Sequence, residues 1–262
     1  MSGFVSKYLT PSKDTPMARR NPIRALPPGS FEETFNKGAL DTSKWVISTG
    51  TAPGGNANHA GTFATNNVDL STGMLRLKLD QAGGPTNYTS SGAELSTIAS
   101  FGYGTYRFIY RASSTAATPQ ATGSTISGSI TGLFNYRDTL PTSYCEIDFE
   151  VEGQTYQDRH KQVAFTNWTD NDYDPPTNPT QGYSTGHTPW ANFIDCRWVW
   201  TAGRIDYYVG EVLRHTATTN VPVPSAPIFI NHWGTHNINF GGTATVSTPR
   251  YLYVSYVSFI PA

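Results

Sequence analysis

The chain has little charge, little sulfur and no long apolar run. Asp, Glu, Lys and Arg make up 14% of its 262 residues, well under the roughly 25% of ordinary globular proteins. A net charge of −1 gives no electrostatic footprint for nucleic acid or an anionic membrane, so neither is expected as a partner. The nearest basic run, Arg19, Arg20 and Arg24, is short and interrupted by Pro22. No stretch of about 18 apolar residues exists to cross a bilayer as a helix. Cysteine occurs only as Cys145 and Cys196, too few for a disulfide framework and without metal-ligand spacing. The two either pair with each other or, the preferred reading, stay buried as free thiols. Met1 to Leu26 lacks an apolar h-region and does not read as a signal peptide. An amphipathic helix of 12 or so residues is also missing.

What is abundant points to strands and turns. Aromatics reach 13%, with 15 Tyr, 13 Phe and 6 Trp, beside 24 Gly and 18 Pro. This composition favours β-structure and suits a polar, uncharged ligand met by stacking and hydrogen bonds. Residues 1–30 show no periodicity and read as an N-terminal extension or linker. From 31 to 262, strand-like runs alternate with Gly- and Pro-rich turns and leave no internal boundary, which predicts one all-β domain, a sandwich. Met74–Leu79, Tyr103–Tyr110, a hairpin of Phe193–Trp200 with Arg204–Val209, and Tyr251–Ile260 are the clearest strands. Two polar stretches, Thr51–Asn67 and Ser113–Ser129, read as loops that are disordered or rim a binding site.

The most informative segment is Cys145-Glu146-Ile147-Asp148-Phe149-Glu150-Val151-Glu152. On a strand, side chains alternate between faces, so four acids share one face and Cys145, Ile147, Phe149 and Val151 share the other. Such a row is often no more than a solvated face. Here it sits in a chain poor in charge, and neighbouring like charges repel. At least one carboxyl should therefore be pushed toward its neutral form. Paired carboxyls in different protonation states are the requirement of glycoside hydrolysis. The strand rise puts the Cα atoms of Glu146 and Glu150 about 13 Å apart, so their carboxyls can meet one sugar linkage only on a concave, curved sheet.

Glu146-Ile-Asp148-Phe-Glu150 resembles the E-x-D-x-E signature of family 16 glycoside hydrolases, in the form found in bacterial lichenases (endo-β-1,3-1,4-glucanases). The resemblance extends over roughly residues 31–260. Gly92-Ala93-Glu94-Leu95-Ser96-Thr97 and Tyr103-Gly104-Thr105-Tyr106 are similar to the family's G-A-E-L-R-T and Y-G-x-Y block. Trp200-Thr201-Ala202-Gly203-Arg204-Ile205, Tyr208-Val209 and Val212–Thr218 are similar to W-T-x-G-x-I and WYVDGVLKHTAT. Ile230-Asn231-His232-Trp233 parallels M-N-L-W.

The resemblance implies a concanavalin A-like jelly-roll β-sandwich of two antiparallel sheets with a concave substrate cleft. It implies Glu146 as nucleophile, Glu150 as general acid/base and Asp148 as the group that tunes and orients them. Trp233, Trp168, Tyr136 and Tyr144 are the stacking candidates, and Asn231, Glu94 and Asn56 the hydrogen-bonding ones. Glu152 falls where the family commonly carries a neutral residue, and either lies beyond the site or raises the pKa of Glu150. The implied activity is retaining endo-hydrolysis of β-1,3-1,4- or β-1,3-glucan. A non-catalytic lectin-like jelly roll and a transglycosylase are the alternatives. The expected partner is a β-glucan polysaccharide, the expected state a monomer, and the expected location extracellular. No cofactor or catalytic metal is expected.

The chain departs from the lichenase pattern at several places. Tyr144 replaces a Trp and Ser96 an Arg, Ala60 and Gly92 stand for a cysteine pair, and Ser255 replaces an Asp that helps hold a structural calcium. The sequons at Asn87 and Asn167 read as chance.

Overall fold

The computed structural model describes residues 26–53, 58–139, 143–169 and 180–262. Among these residues the regular structure is 17 strands and two 3-10 turns, Thr65–Asn67 and Tyr156–Lys161, with no α-helix. In chain order the strands begin with β1 (Phe31–Glu33), β2 (Trp45–Ile47), β3 (Gly50–Thr51), β4 (His59–Phe63), β5 (Val68–Asp69) and β6 (Leu75–Ala82). Then come β7 (Tyr88–Phe101), β8 (Gly104–Ser114), β9 (Ser129–Thr139), β10 (Ser143–Glu152), β11 (Val163–Trp168) and β12 (Thr180–Ser184). The series ends with β13 (Ile194–Thr201), β14 (Arg204–Val209), β15 (Val212–Ala217), β16 (Ala226–Gly234) and β17 (Arg250–Pro261).

One sheet runs β2, β7, β16, β9, β10, β11, β12. The other runs β17, β8, β13, β14, β15, with β1 and β6 sharing the outer side of β17 and β5 beside β6. The first residues of β7 lie between β6 and β4, so hydrogen bonds join the two sheets into one curled network. The expected all-antiparallel pairing holds except for β4 and β7, which are parallel. Parallel neighbours need a long crossover, and β5 with β6 supplies it.

The alternation read from the acid strand is the alternation of the fold. Cys145, Ile147, Phe149 and Val151 are at most 1% exposed and point between the sheets. The Phe149 ring lies 5.0 Å from Trp198 of β13 and 5.8 Å from Tyr207 of β14, which pins β10 to the opposite layer. Cys145 and Cys196 are both buried and free.

Ser113–Ser129 does not behave as expected. It wraps around Arg111, whose guanidinium donates to the carbonyls of Pro119 and Ala121 at 3.0 and 2.9 Å and to Ser114 Oγ at 2.7 Å. The Tyr253 hydroxyl ties the same loop through the Ala116 carbonyl at 2.6 Å. A buried cation needs acceptors on every side, and this loop supplies them, away from the cleft described next.

Candidate active site

The outward faces of the first sheet enclose a cleft of about 670 Å³. Register sets its rows. Glu146 on β10 stands opposite Tyr136 on β9 and Trp168 on β11. Asp148 stands opposite Phe134 and Thr166. Glu150 stands opposite Gly132 and Ala164, and Gly132 in turn faces Asn231 on β16, which faces Glu94 on β7. Glu146, Asp148 and Glu150 thus open into one concavity.

The three carboxyls are held away from water and close to one another. Burial raises Glu146 above the usual carboxylate range, and a hydrogen bond from the Tyr144 hydroxyl to its Oε2 works against that rise. Asp148 is pushed well above its ordinary value by burial and by the charges of Glu146 and Glu150. Burial, then Glu146 and Glu152, push Glu150 up to about 8. Like charges sharing a desolvated site cannot all ionise. All three are therefore pushed toward their neutral forms, and on Glu146 the Tyr144 hydroxyl opposes that push.

Glu152 completes the row but is withdrawn from the cleft. Its carboxylate is paired with Arg159 at 3.1 Å, accepts from the Gly241 backbone N–H at 2.7 Å and takes a hydrogen bond from Gln154. It still contributes to the rise of Glu150, so both readings of this acid hold.

Seven expected sugar-binding residues were named from the sequence. Glu94, Asn231, Tyr136, Trp168 and Trp233 line the cleft. The Asn231 amide donates to Glu94 Oε2 at 3.1 Å and accepts from the Gly132 N–H at 3.1 Å, which fixes its orientation. Trp233 is only 6% exposed and packs on Ala52, Phe63, Ile130 and Phe240, so one edge of it serves the cleft. Tyr144 is a correction. It is 4% exposed, its ring stands edge-on to Tyr136 at 5.8 Å, and its hydroxyl is spent on Glu146, so it offers no stacking face. Asn56 lies outside the described residues.

The cleft also holds Phe134, Phe229, Thr166, Gln181, Phe240 and Pro53, which sequence reasoning did not name. Phe134, Thr166 and Phe229 each stand two residues before a named one, and the period of two marks them. Gln181 and Phe240 carry no such signal.

Residues 55–247 match the family described as Glycosyl hydrolases family 16. The chain belongs to that family. As a family 16 glycoside hydrolase it is 29% identical over 238 residues to the endo-1,3-1,4-beta-glycanase ExoK of Rhizobium meliloti (strain 1021), covering 89% of this chain and 79% of that protein. It is 26% identical over 240 residues to a beta-glucanase of Bacillus amyloliquefaciens, with 90% of each covered. Its fold matches the Bacillus licheniformis beta-glucanase with a TM-score of 0.69 at 24% identity, over 89% of this chain and 99% of that one.

The family 16 frame also locates the departures. Ala60 pairs with Thr89 while Gly92 pairs with Phe63, so the two positions standing for the cysteine pair are not partners in register. Ser255 gives its hydroxyl to the Ile109 carbonyl at 3.3 Å. Among the described residues no group of three or more His, Cys, Asp or Glu is placed to hold a metal ion. Asn167 is fully buried and its amide donates to the Thr219 carbonyl at 3.0 Å, which leaves that sequon inaccessible.

Proposed function

We propose that this family 16 glycoside hydrolase is a retaining endo-β-glucanase acting on β-1,3-1,4- or β-1,3-glucan, as a monomer outside the cell. The observation that carries the reading is the single cleft in which Tyr144 favours the anion on Glu146 while burial and repulsion hold the proton on Glu150. Glu150 gives its proton to the glycosidic oxygen as that oxygen leaves the anomeric carbon, and the Glu146 carboxylate forms the new bond to that carbon. Water then adds at the same carbon, returns a proton to Glu150, and frees Glu146. Asp148, neutral between them, adds no further negative charge to the site. The aromatic lining and the Glu94–Asn231 pair suit an uncharged sugar chain.

A lectin has no use for a desolvated carboxyl row that costs stability. The test is a panel of lichenan, laminarin, barley β-glucan and xyloglucan with product sizing. Wild type should release mid-length oligosaccharides, and Glu146→Gln should lose at least ~1,000-fold in kcat while still binding. Full turnover by Glu146→Gln, or no turnover of any glucan by wild type, would sink the reading. Transfer products in place of hydrolysis would assign the same residues to a transglycosylase.

A further inference from the structure

The concave face does not stop at the enclosed cleft. Among the described residues β12 is its edge strand, and Gly182 at the middle of β12 faces inward, where an added Cβ would stand 2.6 Å from the His215 ring. Its neighbours Gln181 and Tyr183 therefore point to the concave side. Gln181 lines the cleft beside Thr166. Tyr183 lies one strand beyond Ala164, which itself stands opposite Glu150. It continues the row that begins with Glu94, Asn231, Gly132 and Glu150.

Two features mark Tyr183 as more than an edge residue. It is 54% exposed, a large aromatic left open where an edge strand ordinarily carries charge. The residue between it and Glu150 is an alanine, so no bulky side chain of that row separates the ring from the general acid. The Tyr183 hydroxyl also donates to Gln181 Oε1 at 3.5 Å, so a ring face and an amide lie side by side.

We propose that Tyr183 is a specificity-determining platform for the departing sugar chain, binding the second glucosyl unit on the leaving-group side, with Gln181 bordering the nearer unit. The inference rests on the glucanase reading above and adds to it the side and the residue. The opposite flank of Glu150 is taken by the enclosed Glu94–Asn231 pair, suited to gripping the ring that becomes covalently held. Among the described residues the β12 flank is the open edge, through which the leaving oligosaccharide departs and water enters. Strand spacing puts Tyr183 about 10 Å from Glu150, beyond the ring that takes the proton.

The test compares barley β-glucan with a 4-methylumbelliferyl β-glucotrioside, whose leaving group is one aromatic ring system and cannot reach Tyr183. Tyr183→Ala should lower kcat/KM on the polysaccharide by ~5–20-fold and leave the aryl glycoside within about twofold. Tyr183→Trp should restore the polysaccharide rate, since the stacking face is kept. Gln181→Ala should weaken both, because Gln181 borders the nearer unit. Equal effects of Tyr183→Ala on the two substrates, or none on either, would overturn the platform while leaving the glucanase reading intact. Wild type that cleaves neither substrate would defeat that reading, and the platform with it. Melting curves of the variants check that the exposed position has not altered folding.

Discussion

Tyr144 shows how one hydroxyl can set a reaction. Burial alone would push the Glu146 proton on; the Tyr144 O–H, donating to Oε2, draws it off. Removing that donor in Tyr144→Phe leaves burial unopposed, so Glu146 binds its proton more tightly and the acid limb of kcat/KM moves to higher pH. A hydrogen bond to a charged group contributes ~1.5–3 kcal/mol, which corresponds to moving the acid limb by about 1–2 pH units. The alkaline limb belongs to Glu150, pushed up to about 8, and should stay where it is. A pH profile on the aryl glycoside reads both limbs, and an unmoved acid limb would remove Tyr144 from the mechanism. At this scale the sequence was legible through the period of two: it marked Glu146, Asp148 and Glu150, and the same rule counted back from Tyr136 and Asn231 would have found Phe134 and Phe229. It could not tell that Tyr144 would point its hydroxyl at Glu146 rather than a ring face at a sugar, because rotamer and burial depend on Tyr136 across the ladder.

Among the elements, β8 carries the tightest constraint. Its first residue, Gly104, is in register with Trp200 of β13 on one side and Pro261 of β17 on the other. A Cβ there would stand 2.4 Å from the Ile260 carbonyl oxygen and 2.5 Å from the Phe259 ring. Gly104→Ala should therefore destabilise by ~1–3 kcal/mol, read as a lower urea midpoint with unchanged slope. Since Gly104 belongs to the sheet behind the cleft, kcat at low temperature should not change; a loss of kcat with unaltered stability would contradict the packing argument. The β13–β14 hairpin was readable from its Thr-Ala-Gly turn because a hairpin is a local event. The parallel β4–β7 pair and the wrap of Ser113–Ser129 around Arg111 were not, since each is fixed by partners far along the chain.

For the molecule as a whole, the cleft carries a stability cost that depends on pH. The folded pKa of Glu150, about 8, lies above its ordinary 4.5, so its contribution is fully present below 4.5 and is lost as pH rises through 8. His232 runs the other way. Buried between Thr131 Oγ1 and the Ile130 carbonyl, it is lowered from 6.5 to about 3, chiefly by burial. Its contribution is present above 6.5 and lost as pH falls toward 3. The two oppose each other between 4.5 and 6.5 and act alone outside that range. Glu150→Gln removes the first and relieves Glu146 and Asp148 of a neighbouring charge. Its Tm should exceed that of wild type by ~2–6 °C at pH 8 and match it near pH 4.5. Calorimetry at the two pH values checks this; equal gains at both would mean that packing, not charge, is responsible.

The strands, their inward and outward faces, the acid row and the family it announces can be read along the chain, because side-chain alternation and turn chemistry are properties of neighbouring residues. Packing between distant strands is what leaves Trp233 mostly covered while Phe240 and Gln181 reach the cleft, keeps Cys145 and Cys196 apart, and lets Tyr183 extend the Glu150 row. Those outcomes depend on which strands lie side by side and how far the sheet curls, and that is set by contacts between residues dozens of positions apart.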